Sequence, residues 1–440
     1  MGNDMTDLGI EHKLGGYKIY TREDAAALFA GRKLVIWGAG EKGRGFEAAL
    51  RRNDLKVSAF MDRALAGSEV QGIPVLDPAT MLSDRKTLAD FYFLCATIRR
   101  KYLEMFATLQ AAGLTKERDY TNIQTLCPYY PTVEISGLCQ LHCIACPRNG
   151  QNAHGGLMTT ARFIAILDKL IREIPFLYLV ESYYFGDPLL NQHLPDMVRA
   201  GRERGVQLGI STNLNFGQGI DTLCAAAPAK VHVAISGFGQ NYEVTHKGGR
   251  WRIVEENMRK LAVSVEKFGR QTRVALMFHV HRNNVVEIPS VQQFCRELGF
   301  DFSPIYSQVF PDLVLDRLEG KPESDDAKLA IDLMLVPMDE CLAKARADTD
   351  KVCTNKRCLP VIDWDGSVLP CCNFAHKRIG GEIRKGEGSK ISGDFLKVSL
   401  SEIVERRQQC DLCQTCIAQS LHRYFNAADS QSIVGPILCT

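Results

Sequence analysis

The chain reads as an α/β protein in three parts. These are an N-terminal strand–turn–helix unit, a central run of β–α repeats and a small cysteine-rich C-terminal part. Three observations predict this. Helix-like and strand-like segments alternate between Thr159 and Ile305, and repeated β–α units imply a parallel sheet with helices outside it. The apolar run Lys33–Trp37 leads into a glycine-rich turn, Gly38-Ala-Gly40-Glu-Lys-Gly43. Eight of the 16 cysteines lie after residue 350.

The N-terminal part, 17–126, is expected to start its sheet at Lys33. Glycines at positions 38, 40 and 43 allow a tight turn and a close approach of phosphate to a helix N-terminus. A second strand, Val57–Met61, ends at Asp62, about 20 residues on, where an acid can accept from ribose hydroxyls. Phe91–Ala96 adds a strand and Tyr102–Ala112 a helix. Gly38, Gly40, Gly43 and Asp62 are therefore candidate nucleotide contacts. The alternative is a domain without a ligand that only docks on the rest.

The central part, 127–310, opens on an apolar run that ends in Cys139-x3-Cys143-x2-Cys146. Three thiolates on one tight loop can hold three irons of a cubic [4Fe–4S] cluster, leaving the fourth iron open. A zinc site completed by His142 or His154 is the other metal reading, and buried core thiols are the plainest one. Next come a helix over Thr159–Ile174 and a strand over Phe176–Glu181. A helix over Leu194–Arg204 and strands at Gln207–Ile210 and Lys230–Ile235 follow. Val254, Met258, Leu261, Ala262 and Val265 mark a helical face. Thr272–His279, Val291–Leu298 and Asp301–Ile305 continue as strand, helix, strand. Ligands of such sheets gather at the carboxyl ends of the strands. There the chain carries Tyr184-Phe-Gly-Asp-Pro-Leu189, Ser211-Thr-Asn213 and Ser236-Gly-Phe-Gly239.

With these motifs, the chain from Thr132 onward resembles the radical S-adenosylmethionine (SAM) enzymes with a C-terminal cluster domain of SPASM or twitch type. The resemblance implies a partial (β/α)6 barrel. It also implies a catalytic [4Fe–4S] cluster on Cys139, Cys143 and Cys146, and reductive cleavage of SAM to a 5′-deoxyadenosyl radical. Gly186-Asp187-Pro188 is similar to the family's Gly-Glu-Pro turn, which meets the SAM amino group. Ser211, Thr212 and Asn213 match the third-strand position facing SAM, and Ser236 matches a fourth-strand residue near the ribose and carboxylate. Lys247-Gly-Gly-Arg250 is similar to the family's basic glycine-rich turn. Asp187 stands for the usual glutamate, and Ala145 for a frequent aromatic residue. A valine at Gly186 is expected to weaken SAM binding and leave the clusters in place.

A helical linker is expected over 311–350, then the cysteine-rich part over 351–440. Trp364-Asp-Gly366 is a strong hairpin turn signal. Cys353-x12-Gly366-x4-Cys371 fits the family's hairpin, and Cys410-x2-Cys413-x2-Cys416 supplies the other side of a cage. The economical assignment is one auxiliary [4Fe–4S] cluster on Cys353, Cys371, Cys413 and Cys416. Cys358 or Cys410 can replace a neighbour, eight cysteines (with Cys372 and Cys439) suffice for two clusters, and a zinc ribbon is the non-iron reading. The N-terminal part resembles the small Rossmann-like domain of sugar-O- and N-acyltransferases, which in several of them binds a nucleotide-sugar.

At 440 residues, 45% hydrophobic and 24% charged, the composition is that of an ordinary globular protein. A net charge of +2 implies no nucleic-acid partner, and the basic patch Arg99-Arg-Lys101 reads as solvated helix surface. No apolar run approaches the ~20 residues of a membrane span. No signal peptide opens the chain, so a cytoplasmic location is expected and disulfides are not. Met1–Gly16 and Arg378–Gly393 read as loose segments. The expected activity is hydrogen abstraction from a small molecule, such as a sugar or sugar-nucleotide, ending in dehydrogenation or epimerisation. A reductant such as flavodoxin or ferredoxin is implied as partner. The alternatives are a radical SAM peptide maturase, an NAD-dependent dehydrogenase with metal knuckles, and a non-catalytic iron–sulfur electron carrier.

Overall fold

The computed structural model describes residues 12–13, 16–97, 100–146, 155–269, 271–349, 353–374 and 393–427. His154, Cys439, most of Met1–Gly16 and nearly all of Arg378–Gly393 lie outside them, as do the side chains of the Arg99–Lys101 patch. The chain divides into two compact units. One comprises Met1–Tyr130, Leu167–Val180 and Gly201–Gln207; the other comprises Pro131–Ile166, Glu181–Ala200 and Leu208–Thr440. The boundary expected near 126 lies close to Tyr130. Those expected at 310 and 350 fall inside the second unit.

In the first unit a small antiparallel pair, β1 (His12–Lys13) and β2 (Gly16–Tyr17), precedes a six-stranded sheet. Its strands are β3 (Lys33–Trp37), β4 (Val57–Met61), β5 (Glu69–Val70), β6 (Ile73–Leu76), β7 (Phe91–Cys95) and β8 (Tyr120–Asn122), in the order β5-β6-β4-β3-β7-β8. All neighbours are parallel except β5 with β6. The strand order reverses at β3, so its carboxyl end faces a crevice. The helix Glu41–Arg52 starts there. At its far end the Arg52 guanidinium donates to the carbonyls of Pro175, Leu177, Arg204 and Gly205 at 2.6–3.1 Å. Burial lowers its pKa to about 10. Four carbonyls in place of a carboxylate satisfy its donors but leave its charge unpaired.

An eight-stranded sheet in the order β14-β13-β12-β11-β10-β9-β15-β16 belongs to the second unit except for Leu179–Val180 of β10 and Gln207 of β11. Its strands are β9 (Thr132–Val133), β10 (Leu179–Glu181), β11 (Gln207–Thr212), β12 (Lys230–Ile235), β13 (Arg273–Val280), β14 (Asp301–Tyr306), β15 (Val361–Ile362) and β16 (Val368–Leu369). The pairs β9–β10, β11–β12, β12–β13 and β13–β14 are parallel. Along β12 the residues Val231, Val233 and Ile235 are buried, and the half-buried Lys230, His232 and Ala234 alternate with them. The helix Trp251–Lys267 buries Val254, Met258 and Leu261, the face marked by the 3.6-residue period.

The hairpin β15–β16 does not stand apart but joins the sheet, with β15 parallel to β9. It covers what would otherwise be an open edge of unpaired backbone groups. The turn is the expected one: Gly366 sits at φ +84° and its N–H bonds Asp363 O at 2.8 Å. The Trp364 ring lies where a Cβ on Gly137 or Gly156 would come within 2.3 Å of it, so those two glycines make its seat. The span 311–350 is helical as expected, over Pro311–Leu318, Asp325–Asp332 and Met338–Ala347. Those helices share one apolar core with Ile144, Cys371, Phe374, Leu421 and Tyr424. Among the described residues no helix is long and apolar enough to cross a membrane.

Candidate functional site

The site of the second unit begins at β9. Its last residue is followed by Glu134, which is fully buried. The Glu134 carboxylate accepts from the backbone N–H groups of Tyr184 (3.2 Å), Phe185 (2.7 Å) and Gly186 (3.2 Å). A charge-assisted acceptor thus gathers the turn after β10. The turn closes on the cysteine loop, with Asp187 N–H donating to Leu138 O at 2.7 Å. Gly186 is needed for that closeness, since a Cβ there would lie 1.8 Å from Ser136 O and 2.8 Å from Leu138 O. This corrects the expectation for valine at Gly186: a side chain strikes the backbone of the cysteine loop before it strikes any ligand.

Asp187 is 2% exposed, and its carboxyl is occupied by the protein itself. It accepts from Leu189 N (2.9 Å), Asn213 N (3.0 Å) and the Thr212 hydroxyl (3.0 and 2.9 Å). Burial raises its pKa against those three groups of donors. The residue ties the β10 turn to the end of β11. Asn213 then faces the cysteines. Its Oδ1 accepts from Gln140 (2.8 Å) and Asn215 N (2.9 Å), and its Nδ2 lies 3.6 Å from Cys139 Sγ. Gln140 Oε1 is buried without a hydrogen-bond partner among the described residues. Ser211 sits beside His232 in register and is half-buried.

Ser236 is fully buried and bonds His246 Nδ1 at 2.8 Å and the Thr245 hydroxyl. His246 stacks on Tyr242 with centroids 4.5 Å apart. The Tyr242 hydroxyl bonds Asn215, whose Oδ1 accepts from Arg250 N at 2.8 Å. The cysteine loop is pinned to this segment by His142 N–H to Lys247 O (2.8 Å) and Ile144 N–H to Thr245 O (3.1 Å). Burial lowers His246 to about 3 and His279 to about 4. Both are therefore neutral near pH 7.

None of Cys139, Cys143 and Cys146 is joined in a disulfide among the described residues. Burial pushes Cys139 up to about 12, with Asp187 and Cys146 adding to the shift. Burial, then Cys146 and Cys139, pushes Cys143 well above the ordinary thiol value. Three crowded thiols that resist ionising alone become good thiolates only when a bound cation takes up the charge. The loop therefore fits an iron cluster. Among the described residues no three His, Cys, Asp or Glu side chains gather closely enough for a single metal ion.

The C-terminal cysteines converge around Arg407. Helix Asp411–Ala418 carries Cys413 and Cys416 three residues apart, hence on one face. Cys353 and Cys371 flank the hairpin. Cys416 feels the charges of Cys371 and Cys353, and Cys413 that of Cys371. Arg407 Nη2 lies 3.7 Å from Cys353 Sγ. Burial alone would lower its pKa, but Cys371, Cys353 and Cys413 together raise it. Cys372 touches both Cys358 and Cys371 through sulfur, and Cys410 touches Cys413. A buried guanidinium amid thiols suits a four-thiolate group of net negative charge. Tyr184 links this region to the first site, its hydroxyl bonding the carbonyls of Cys371 (2.8 Å) and Phe374 (2.6 Å).

In the first unit the three glycines play different parts. Gly38 sits at φ +110°. Gly43 lets the helix touch the strand, since a Cβ there would lie 1.8 Å from Gly38 O. Nothing lies within 4 Å of a Cβ on Gly40. Asp62 turns toward the glycine turn and accepts from Ala39 N (3.1 Å) and Ala64 N (3.0 Å).

Sequence reasoning passed over Glu134, Gln140, Asn215, Tyr242 and Arg407. A glutamate inside an apolar strand and a glutamine between cysteines were the available signals for the first two. The others are visible only through their partners.

No family model matches the chain. It is similar to a curated protein of Pyrococcus furiosus described as a tungsten-containing aldehyde ferredoxin oxidoreductase cofactor-modifying protein. The identity is 25% over 260 residues, covering 56% of this chain and 72% of that protein. Similar solved structures include native anSMEcpe with bound AdoMet, at 14% identity, 70% of this chain, 100% of that one and a TM-score of 0.42. Streptococcus suis SuiB bound to S-adenosylmethionine follows at 13% identity, 63% and 67% coverage and a TM-score of 0.38. BtrN in complex with AdoMet and 2-DOIA matches at 17% identity, 66% and 87% coverage and a TM-score of 0.37. S-adenosylmethionine is bound in each of those three structures.

Proposed function

We propose that the chain is a radical SAM enzyme acting on a small metabolite in the cytoplasm. The observation that carries this is the half-buried Cys139–Cys146 loop, clasped by the Gly186 turn and by Asn213 at the ends of parallel strands. Cys139, Cys143 and Cys146 would hold a [4Fe–4S] cluster, which when bound supplies the electron that cleaves SAM to a 5′-deoxyadenosyl radical. The protein's part is to orient and to exclude water. Glu134 and Asp187 shape the turn and strand end against which SAM lies. Gln140 Oε1 offers an acceptor, while Ser236 supports the site through His246. The relative described as cofactor-modifying supports a small organic substrate over a peptide.

Cys353, Cys371, Cys413 and Cys416 would hold an auxiliary cluster in a twitch-type domain, with reduction coming from flavodoxin or ferredoxin. A dehydrogenation outcome suits an auxiliary cluster that can accept an electron. The strand order of the first unit supports a Rossmann-like reading, with Gly38, Gly40, Gly43 and Asp62 facing a nucleotide or sugar-nucleotide. Asp62 keeps acceptor capacity for hydroxyl donors beyond its two backbone bonds.

Anaerobic reconstitution tests the assignment. About eight irons are expected for two [4Fe–4S] clusters, with dithionite-driven cleavage of SAM to 5′-deoxyadenosine. Replacing Cys139, Cys143 and Cys146 with alanine should remove about half the iron and all cleavage. Cleavage that survives the triple replacement would sink the assignment.

A further inference from the structure

We propose that Arg407 makes the C-terminal cluster easier to reduce, by donating a charged hydrogen bond to the Cys353 sulfur. This rests on the reading that Cys353, Cys371, Cys413 and Cys416 hold a cluster. Arg407 ends the helix Leu400–Gln408, one turn before the helix that bears Cys413 and Cys416. It is 6% exposed, and its Nη2 points at Cys353 Sγ from 3.7 Å. Its Nη1 is buried without a partner among the described residues. A guanidinium has five donors and no means of losing its charge near neutral pH.

At the first cysteine loop two neutral donors, Leu141 N at 3.5 Å and Asn213 Nδ2 at 3.6 Å, reach Cys139 Sγ. Reduction adds one negative charge to a cluster. A nearby cation and hydrogen bonds to ligand sulfur favour that charge, and carboxylates oppose it. The buried Arg407 charge and its contact with Cys353 Sγ therefore favour the reduced state of the C-terminal cluster.

The test is a redox titration of the full, reconstituted chain, followed by electron paramagnetic resonance. The Cys139, Cys143 and Cys146 triple alanine variant isolates the C-terminal signal. In that background Arg407→Met should keep the cluster's iron and lower its reduced-to-oxidised ratio at least tenfold at fixed ambient potential. For a one-electron couple that is a 59 mV downward shift. Arg407→Lys, which keeps the charge, should shift less. A ratio within twofold of the parent in Arg407→Met overturns the proposal. If Arg407→Met loses iron, Arg407→Gln takes its place, and loss of iron in all three variants overturns the proposal by making Arg407 a folding element. A triple variant with no cluster of its own overturns the auxiliary-cluster reading and this inference together. A cluster with unmoved potential overturns this inference alone.

Discussion

Replacing Asp187 with asparagine is the sharpest perturbation of the site, because it changes one atom in a carboxyl that holds two strand ends together. The carboxyl accepts from Leu189 N, Asn213 N and the Thr212 hydroxyl at 2.9–3.0 Å. An asparagine amide has one oxygen for those two backbone donors. In either orientation it sets its NH2 against one N–H. The Thr212 hydroxyl can rotate to accept from the amide, so one backbone donor is left unmet. At 2% exposure water does not reach it. A buried donor without a partner costs about 1–3 kcal/mol. For a domain of this size that lowers Tm by roughly 2–12 °C. The loss falls at Asn213, which also bonds Gln140 and approaches Cys139. SAM affinity should therefore drop along with Tm while iron content holds. Calorimetry on anaerobic protein and a SAM titration of cleavage measure the two. An Asp187→Asn variant that melts and binds SAM like the parent would show that this carboxyl does not join the turn to the strand.

Three further outcomes are expected. Gly186→Ala should cost iron as well as cleavage, since its Cβ would stand 1.8 Å from Ser136 O; a full iron count in that variant refutes the close approach. Gly43→Ala should lower the first unit's stability by about 1–3 kcal/mol through overpacking, because its Cβ would stand 1.8 Å from Gly38 O; an unchanged urea midpoint counts against it. Burial holds His246 and His281 to about 3 and His279 to about 4, against about 6.5 when unfolded. The unfolded chain thus takes up protons first as pH falls below about 6.5, and the folded state loses stability until pH nears the folded values. At pH 5 that is about 2 kcal/mol per histidine, so the urea midpoint should fall between pH 7 and 5, and a flat profile would contradict the buried neutral rings.

Much of this protein was legible in its residue order. Strands Val57–Met61 and Lys230–Ile235 fall where their apolar runs said, because a strand's pattern is local and repeats every second residue. The same holds for the Trp364–Gly366 hairpin, whose turn demands a left-handed glycine. Cysteine spacing likewise marked the Cys139–Cys146 loop as a place for metal, since three thiols in eight residues need no distant partner to meet. Side-chain partners were not legible. Asp187, Asn213 and Ser236 were singled out as ligand contacts, yet their polar atoms are largely spent on Thr212, Gln140 and His246. Each of those bonds joins residues from separate strand ends or loops, and a one-dimensional pattern holds no record of which ends meet. The docking of β15 on β9 spans more than two hundred residues of chain, and it follows from an open sheet edge that exists only once the sheet has formed. The meeting of Arg407 with Cys353 is of the same kind. A buried cation among thiols arises from helices and a hairpin packing into one core, and that tertiary packing decided where the charge lies.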